Sequence, residues 1–130
     1  ASQALIEKLI KKDIHCNRQA GCDSSGGSLG HALGISIGMA LADPDTTKYV
    51  ILSDGSIQEG SVWEALRLKN DLNIKNIKIY CNFNGYTALA RINRGILSER
   101  LRAFDKDAEI IYTNNGLPEL EGVAGHYRVI

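Results

Sequence analysis

Two polar residues hold most of the chemistry this sequence can offer. Asp54 follows the apolar run Val50-Ile51-Leu52-Ser53, and Asn84 follows the apolar run 77–81. They lie 84 − 54 = 30 residues apart, with one helix-length segment between them. That order describes a βαβ unit with parallel strands. The carboxyl ends of both strands then open on the same edge of the sheet, where ligands of open α/β sheets bind. A carboxylate and a side-chain amide oxygen meeting there are hard ligands of the type Mg²⁺ or Ca²⁺ takes, usually completed by water and phosphate oxygens. Asp54-Gly55 or Asn84-Gly85 alone is equally an ordinary turn. It is their combination with a glycine loop upstream that favours a site.

The loop is Ser25-Gly26-Gly27-Ser28-Leu29-Gly30, leading into a helical run. Backbone N–H groups and the positive helix end would face an anion there. It is neither a Walker A loop nor GxGxxG, so by itself it is a weak signal. Arg91, Arg94, Arg100 and Arg102 cluster further on. Arginine forks suit phosphate oxygens, but a solvated helix face is the simpler account of the group.

Residues 3–12 place Leu5, Ile6, Leu9 and Ile10 at helical spacing with lysines opposite, a short docking helix. Residues 15–27 read as a loop. A helix follows from Ser28 and stops before Asp43-Pro44-Asp45. Gly30, Gly34 and Gly38 form a bare stripe on it, each costing roughly 1 kcal/mol of helix propensity against alanine. The simplest reason is tight packing against the sheet or a neighbouring helix. Residues 48–53 and 77–81 are strands. Residues 59–72 are a helix with Val62, Trp63, Leu66 and Leu72 inward, and residues 95–104 another helix. Residues 109–112 and 127–130 are further strand candidates. The alternation predicts an α/β fold with a mainly parallel sheet flanked by helices.

The chain has 130 residues, enough for one domain with a real core. Its 15 basic and 15 acidic residues cancel, so no charge excess argues for nucleic acid or an anionic membrane. No apolar run approaches a membrane span and no signal-peptide pattern opens the sequence, so a soluble cytoplasmic protein is the default. Cys16, Cys22 and Cys81 make an odd count without CxxC spacing, which fits reduced thiols. His15, Cys16, Cys22 and His31 miss the spacing of zinc fingers, so packing residues are the better account.

The segment S-D-G-S-I-Q-E-G-S-V-W-E-A, a connecting helix and C-N-F-N-G together resemble the thiamine-diphosphate motif, which opens G-D-G and closes with an asparagine pair. The Q-E-G and W-E-A stretches, with the upstream S-S-G-G-S-L-G-H-A-L, resemble the transketolase family in particular. The likeness covers roughly residues 15–85. It implies a thiamine-diphosphate-binding fold of the transketolase diphosphate-domain type, with residues 1–130 as a single diphosphate-binding domain lacking the pyrimidine-binding domain.

By that resemblance Asp54 and Asn84 ligate Mg²⁺ (or Ca²⁺), with the backbone carbonyl of Tyr86 completing the protein's share. Gly55 and Ser56 lie by the diphosphate, and Gly27, Ser28 and Leu29 line the cofactor. Glu59 matches a glutamate near the subunit interface that links paired active sites, and His15 a histidine facing the sugar; these are the catalytic candidates. The alternative for Glu59 is a solvated carboxylate at a helix start, favoured by the helix dipole. His31 stands where the family has His or Gln, a helix-packing position. Ser53 replaces the opening glycine and Phe83 the paired asparagine, and each could reshape the pocket. The implied reaction is transfer of two-carbon ketol units between sugar phosphates. The glutamate that activates the cofactor would come from a pyrimidine-domain subunit, in a homo- or hetero-oligomer such as a dimer, so the chain alone is expected to be inactive. The alternatives are a non-catalytic binding or regulatory module that keeps the fold, or the half-subunit of another thiamine-diphosphate enzyme such as a decarboxylase.

Overall fold

Val50 and Leu52 alternate with Tyr49 and Ile51, and Ile77, Ile79, Cys81 and Phe83 alternate with Lys78, Tyr80 and Asn82, so successive side chains point to opposite faces of each strand. The structure is a computed structural model and describes residues 22–24, 28–87 and 90–112. The element order is α1 (His31–Ala42), β1 (Lys48–Ser53), α2 (Asp54–Ile57), α3 (Gly60–Asp71), β2 (Ile77–Phe83), α4 (Arg94–Phe104) and β3 (Glu109–Tyr112). The expected docking helix at 3–12 and strand at 127–130 lie outside the described residues.

The three strands form a parallel sheet in the order β1-β2-β3. Successive crossovers in one direction put their helices on one face of the sheet. The core agrees. Leu33 and Ile37 from α1, Val62 and Leu66 from α3 and Leu97 and Leu101 from α4 form one buried cluster with Val50, Leu52, Ile77, Ile79, Cys81 and Phe83. Tyr80 is buried on the opposite face with Tyr49, Ile51 and Ile111 packed about it. The expected α/β fold with a parallel sheet and flanking helices is therefore what the chain forms.

Two expectations are corrected. Leu72 is half exposed, because α3 ends at Asp71 and Asn73 then turns the chain with a φ of 51°. The glycine stripe is not a packing seam along its length. A Cβ on Gly34 or Gly38 would meet nothing within 4 Å, whereas Gly30 is in close contact. Gly30 precedes α1 with φ 85°, a left-handed conformation that glycine adopts without strain. A side chain there would run into Ser61 and come within 2.9 Å of Glu59 Cβ. Gly30 thus lets the start of α1 sit against the start of α3.

The loops are fastened by polar side chains. The Asn76 amide reaches the carbonyls of Ala40, Asp43 and Thr46, tying the end of α1 to the approach to β2. Lys69 and Asp105 form a buried ion pair of 2.5 Å between α3 and the end of α4.

Candidate functional site

In register, Ser53 faces Asn82, so β1 and β2 end at the same level. The next residues of the two strands therefore emerge side by side, which is why Asp54 and Asn84 meet. Asp54 is 1% exposed. Its Oδ1 accepts the Asn84 N–H at 3.1 Å and its Oδ2 accepts the Gly85 N–H at 2.8 Å. The Asn84 side-chain oxygen accepts the Tyr86 N–H at 2.9 Å, an Asx turn that fixes its direction. Gly85 permits this corner, since its φ of 87° lies in the left-handed region.

Burial pushes the Asp54 carboxyl above its ordinary value; the N–H bonds from Gly85 and Asn84, and then the charge of Arg94, act in the opposite direction. No salt bridge among the described residues engages Asp54. A buried carboxylate held by two backbone N–H groups keeps lone pairs for a further partner. That donor set, one carboxylate with one amide oxygen beside it, fits Mg²⁺ or Ca²⁺ better than zinc. Among the described residues, no three His, Cys, Asp or Glu side chains gather as a metal cluster.

Leu29, Gly55, Ser56 and Glu59 lie at or just before the starts of α1, α2 and α3. Ser53 caps α2, its hydroxyl accepting the Ser56 N–H at 3.2 Å. Gly55 is buried, and Leu29 Cδ1 lies 3.2 Å from where its Cβ would stand, which brings the end of the glycine loop against α2. Glu59, exposed, precedes α3 and flanks Gly30. The amino ends of α1, α2 and α3 are thus drawn together around the carboxyl ends of β1 and β2.

No protein-family model matches the chain. It is 41% identical over 61 residues, 44% of its length, to a putative transketolase family protein, y4mO, of Sinorhizobium fredii. It is 33% identical over 84 residues, 56% of its length, to the 6-deoxy-6-sulfo-D-fructose transketolase subunit SqwG of a Clostridium species. It is 36% identical over 72 residues, 52% of its length, to human transketolase. The chain is similar to the transketolase family. The matched stretches are 22%, 30% and 12% of those three proteins, so it spans only a fraction of each.

Against transketolase-family motifs, the two departures have structural explanations. Ser53, in the place of a glycine, supplies the cap of α2. Phe83, in the place of an asparagine, is fully buried and sits edge-on to Tyr112, with ring centroids 6.2 Å apart. His31 is exposed, not packed, and its Nε2 lies 3.4 Å from the Ser28 hydroxyl. Tyr86 is half-buried and bridges to Arg91. His15 and Gly27 lie outside the described residues, as does Cys16; Cys22 and Cys81 are free thiols. No helix among the described residues is long and apolar enough to cross a membrane.

The sequence did not point to Arg94 individually. It is half-buried where the exposed Arg100 and Arg102 are not, and its stem lies across Gly85. The hint available was position. Arg94 begins a helix, at the end where a cation is disfavoured.

Proposed function

We propose that this chain is the diphosphate-binding part of a transketolase-like transferase, holding thiamine diphosphate through Mg²⁺ and acting on phosphorylated sugars. The observation that carries the reading is the buried Asp54 carboxylate, locked to the backbone of Asn84 and Gly85 where the two parallel strands end. The likeness to transketolases over about half the chain supports the reaction class.

In this reading the Asp54 carboxylate, the Asn84 side-chain oxygen and the Tyr86 carbonyl hold the metal. Gly55 and Ser56 lie against the diphosphate, and the Gly27-Ser28-Leu29 loop lines the cofactor. Thiamine diphosphate, when bound, supplies the carbon nucleophile that two-carbon ketol transfer needs. Glu59 would lie near a subunit interface and link paired active sites, and His15 would face the sugar. A pyrimidine-domain subunit, in a homo- or hetero-oligomer, would supply the activating glutamate; SqwG is itself named as a subunit. The setting is the cytoplasm.

Calorimetric titration of thiamine diphosphate into the purified chain, with Mg²⁺ and then with EDTA, tests this directly. Metal-dependent heat that disappears in Asp54→Ala is the expected result. Ketol transfer should appear only after a pyrimidine-domain subunit is added, and turnover by the chain alone would refute the partner requirement. No metal-dependent binding, with or without that subunit, would favour a module that keeps the fold without its grip.

A further inference from the structure

Residues 85–87 and 90–92 pair with each other at the edge of the Asp54–Asn84 corner. The Ile92 N–H donates to the Gly85 carbonyl at 2.8 Å, and the Thr87 N–H to the Ala90 carbonyl at 2.8 Å. Between these bonds Tyr86 and Arg91 stand opposite each other in an antiparallel bridge. The Arg91 guanidinium carbon lies over the Tyr86 ring, 5.4 Å from its centre. This pair is tied to the corner, because the Tyr86 N–H donates to the Asn84 side-chain oxygen at 2.9 Å. The next residue reaches the start of α2: Thr87 Cγ2 lies 3.6 Å from where a Gly55 Cβ would stand.

Arg91 thus differs in setting from the arginines that follow it. Arg94, Arg100 and Arg102 lie in α4, whereas Arg91 precedes the Asn93 cap and stands across from Tyr86. Arg91 is exposed and Tyr86 half-buried. Among the described residues the ion pairs are Lys48–Asp43, Arg67–Asp71 and Lys69–Asp105, and none of them uses Arg91. A guanidinium held over an aromatic face keeps the N–H donors around its edge. The bridge and the ring also place it in advance, so less freedom is lost when it meets an anion.

The geometry points to Arg91, held on the Tyr86 ring, as a phosphate-binding residue at the rim of the Asp54–Asn84 corner. This rests on the reading of that corner as a metal and diphosphate site. The Tyr86 carbonyl is the third candidate ligand of that site, and Arg91 is the residue directly across from it. Residues opposite each other in an antiparallel pair stand roughly 5 Å apart, which is within the reach of an arginine side chain. Two phosphate groups come into that range, the diphosphate on the metal and the phosphate of a sugar. Both offer the same chemistry, charged oxygens that a planar guanidinium meets with paired N–H donors. Arg91 is in this sense a binding residue for a phosphoryl group brought to the corner.

The test titrates Mg²⁺ alone, Mg²⁺ plus inorganic pyrophosphate, and ribose 5-phosphate calorimetrically into the wild-type chain, Arg91→Gln, Tyr86→Leu and Arg102→Gln. Arg91→Gln should weaken at least one of the two phosphate ligands roughly tenfold, the loss of one charge-assisted contact, and leave Mg²⁺ alone unchanged. A loss for pyrophosphate puts Arg91 on the metal-bound diphosphate, and a loss for ribose 5-phosphate puts it on a sugar phosphate. Tyr86→Leu should weaken the same ligand, because the guanidinium loses its platform, and Arg102→Gln should match wild type. Unchanged affinity for both phosphate ligands in Arg91→Gln overturns the role of Arg91 and leaves the metal site standing. Equal losses in Arg91→Gln and Arg102→Gln show an effect of overall charge and overturn it too. Failure of the wild-type chain to take Mg–pyrophosphate overturns the metal-site reading, and if ribose 5-phosphate also fails to bind, the role of Arg91 falls with it.

Discussion

Among the described residues two aspartates are buried, and they are held in opposite ways. Asp105, 5% exposed, follows α4 and pairs with Lys69 at 2.5 Å. Its second oxygen accepts the Asp107 N–H at 3.0 Å. Beside it the Asn70 amide donates to the Phe104 carbonyl at 2.5 Å, and the Trp63 and Phe104 rings pack with centroids 5.1 Å apart, tilted by 56°. Asp105 is neutralised inside the fold and clamps α3 to α4. Asp54, 1% exposed, has two backbone N–H groups and a guanidinium one glycine away. The first arrangement completes a structure, and the second keeps a carboxylate aimed and desolvated with acceptor capacity to spare. Burial alone therefore does not mark a site; the nature of the partner does.

The sharpest way to break this contrast is to remove one partner from each carboxylate. Lys69→Met leaves Asp105 buried without its counter-ion and should cost about 3–5 kcal/mol of stability. Replacing the pair together, Lys69→Met with Asp105→Leu, should recover most of that loss, because apolar isosteres need no desolvation. Urea unfolding of the three chains measures both. If Lys69→Met is as stable as wild type, the pair is not the clamp described here.

The next effect separates glycines that share one helix face. Gly30→Ala places a Cβ against Ser61 and Glu59 at a φ of 85° and should cost roughly 1–3 kcal/mol. Gly34→Ala and Gly38→Ala meet open space in α1 and should each stabilise by up to about 1 kcal/mol. Thermal melts rank the three. A loss at Gly38 comparable to that at Gly30 would show that another molecule covers the stripe.

The glycine stripe also shows where the sequence stops being legible. Strand runs such as 48–53 and 77–81 announce themselves by alternation and apolar content, and α3 and α4 by helical spacing. Equal spacing of Gly30, Gly34 and Gly38 could not reveal that only the first is crowded, because that depends on where α3 begins in space. Leu72 misled for a related reason: the helical pattern continues through it, but Asn73 turns the chain away. At the site, Asp54 and Asn84 were legible because parallel strands of matched length must end together. Their hydrogen bonding, Asp54 to the backbone of residues 84 and 85, was not, because either side chain could have turned to solvent. Arg94 was hidden among four arginines until α4 placed it beside Gly85.

A smaller thiol contrast follows from the same burial. Cys81 is fully buried in the sheet, and its thiol is pushed up to about 12 by burial, then by the charges of Asp105 and Asp54. The thiolate is the reactive form, so Cys81 should resist alkylation in the folded chain at about pH 8. Cys22, half exposed, should label before Cys81. Mass spectrometry after brief iodoacetamide treatment distinguishes them, and early labelling of Cys81 would mean that the core opens readily.

The smallest effect is the most diagnostic of what Asp54 is for. Its carboxyl lies above its ordinary value in the folded chain, burial being the cause. At low pH the group is protonated in both folded and unfolded chains and contributes nothing. As pH rises, the unfolded chain ionises first, so stability falls until the folded carboxyl ionises as well, and the penalty then persists at neutral pH. Asp54→Asn removes that penalty but exchanges one acceptor oxygen for an amide donor, leaving the Asn84 or Gly85 N–H without its partner. The two changes oppose, so the variant should lie within about 1 kcal/mol of wild type at pH 7. Its stability should also vary less than wild type as pH rises above the ordinary carboxylate range. Mg²⁺ with pyrophosphate at about ten times its dissociation constant should then stabilise wild type by about 1.4 kcal/mol and leave Asp54→Asn nearly unmoved. Equal stabilisation of both chains would mean that the ligand binds elsewhere, and the contrast between the two aspartates would reduce to one of packing.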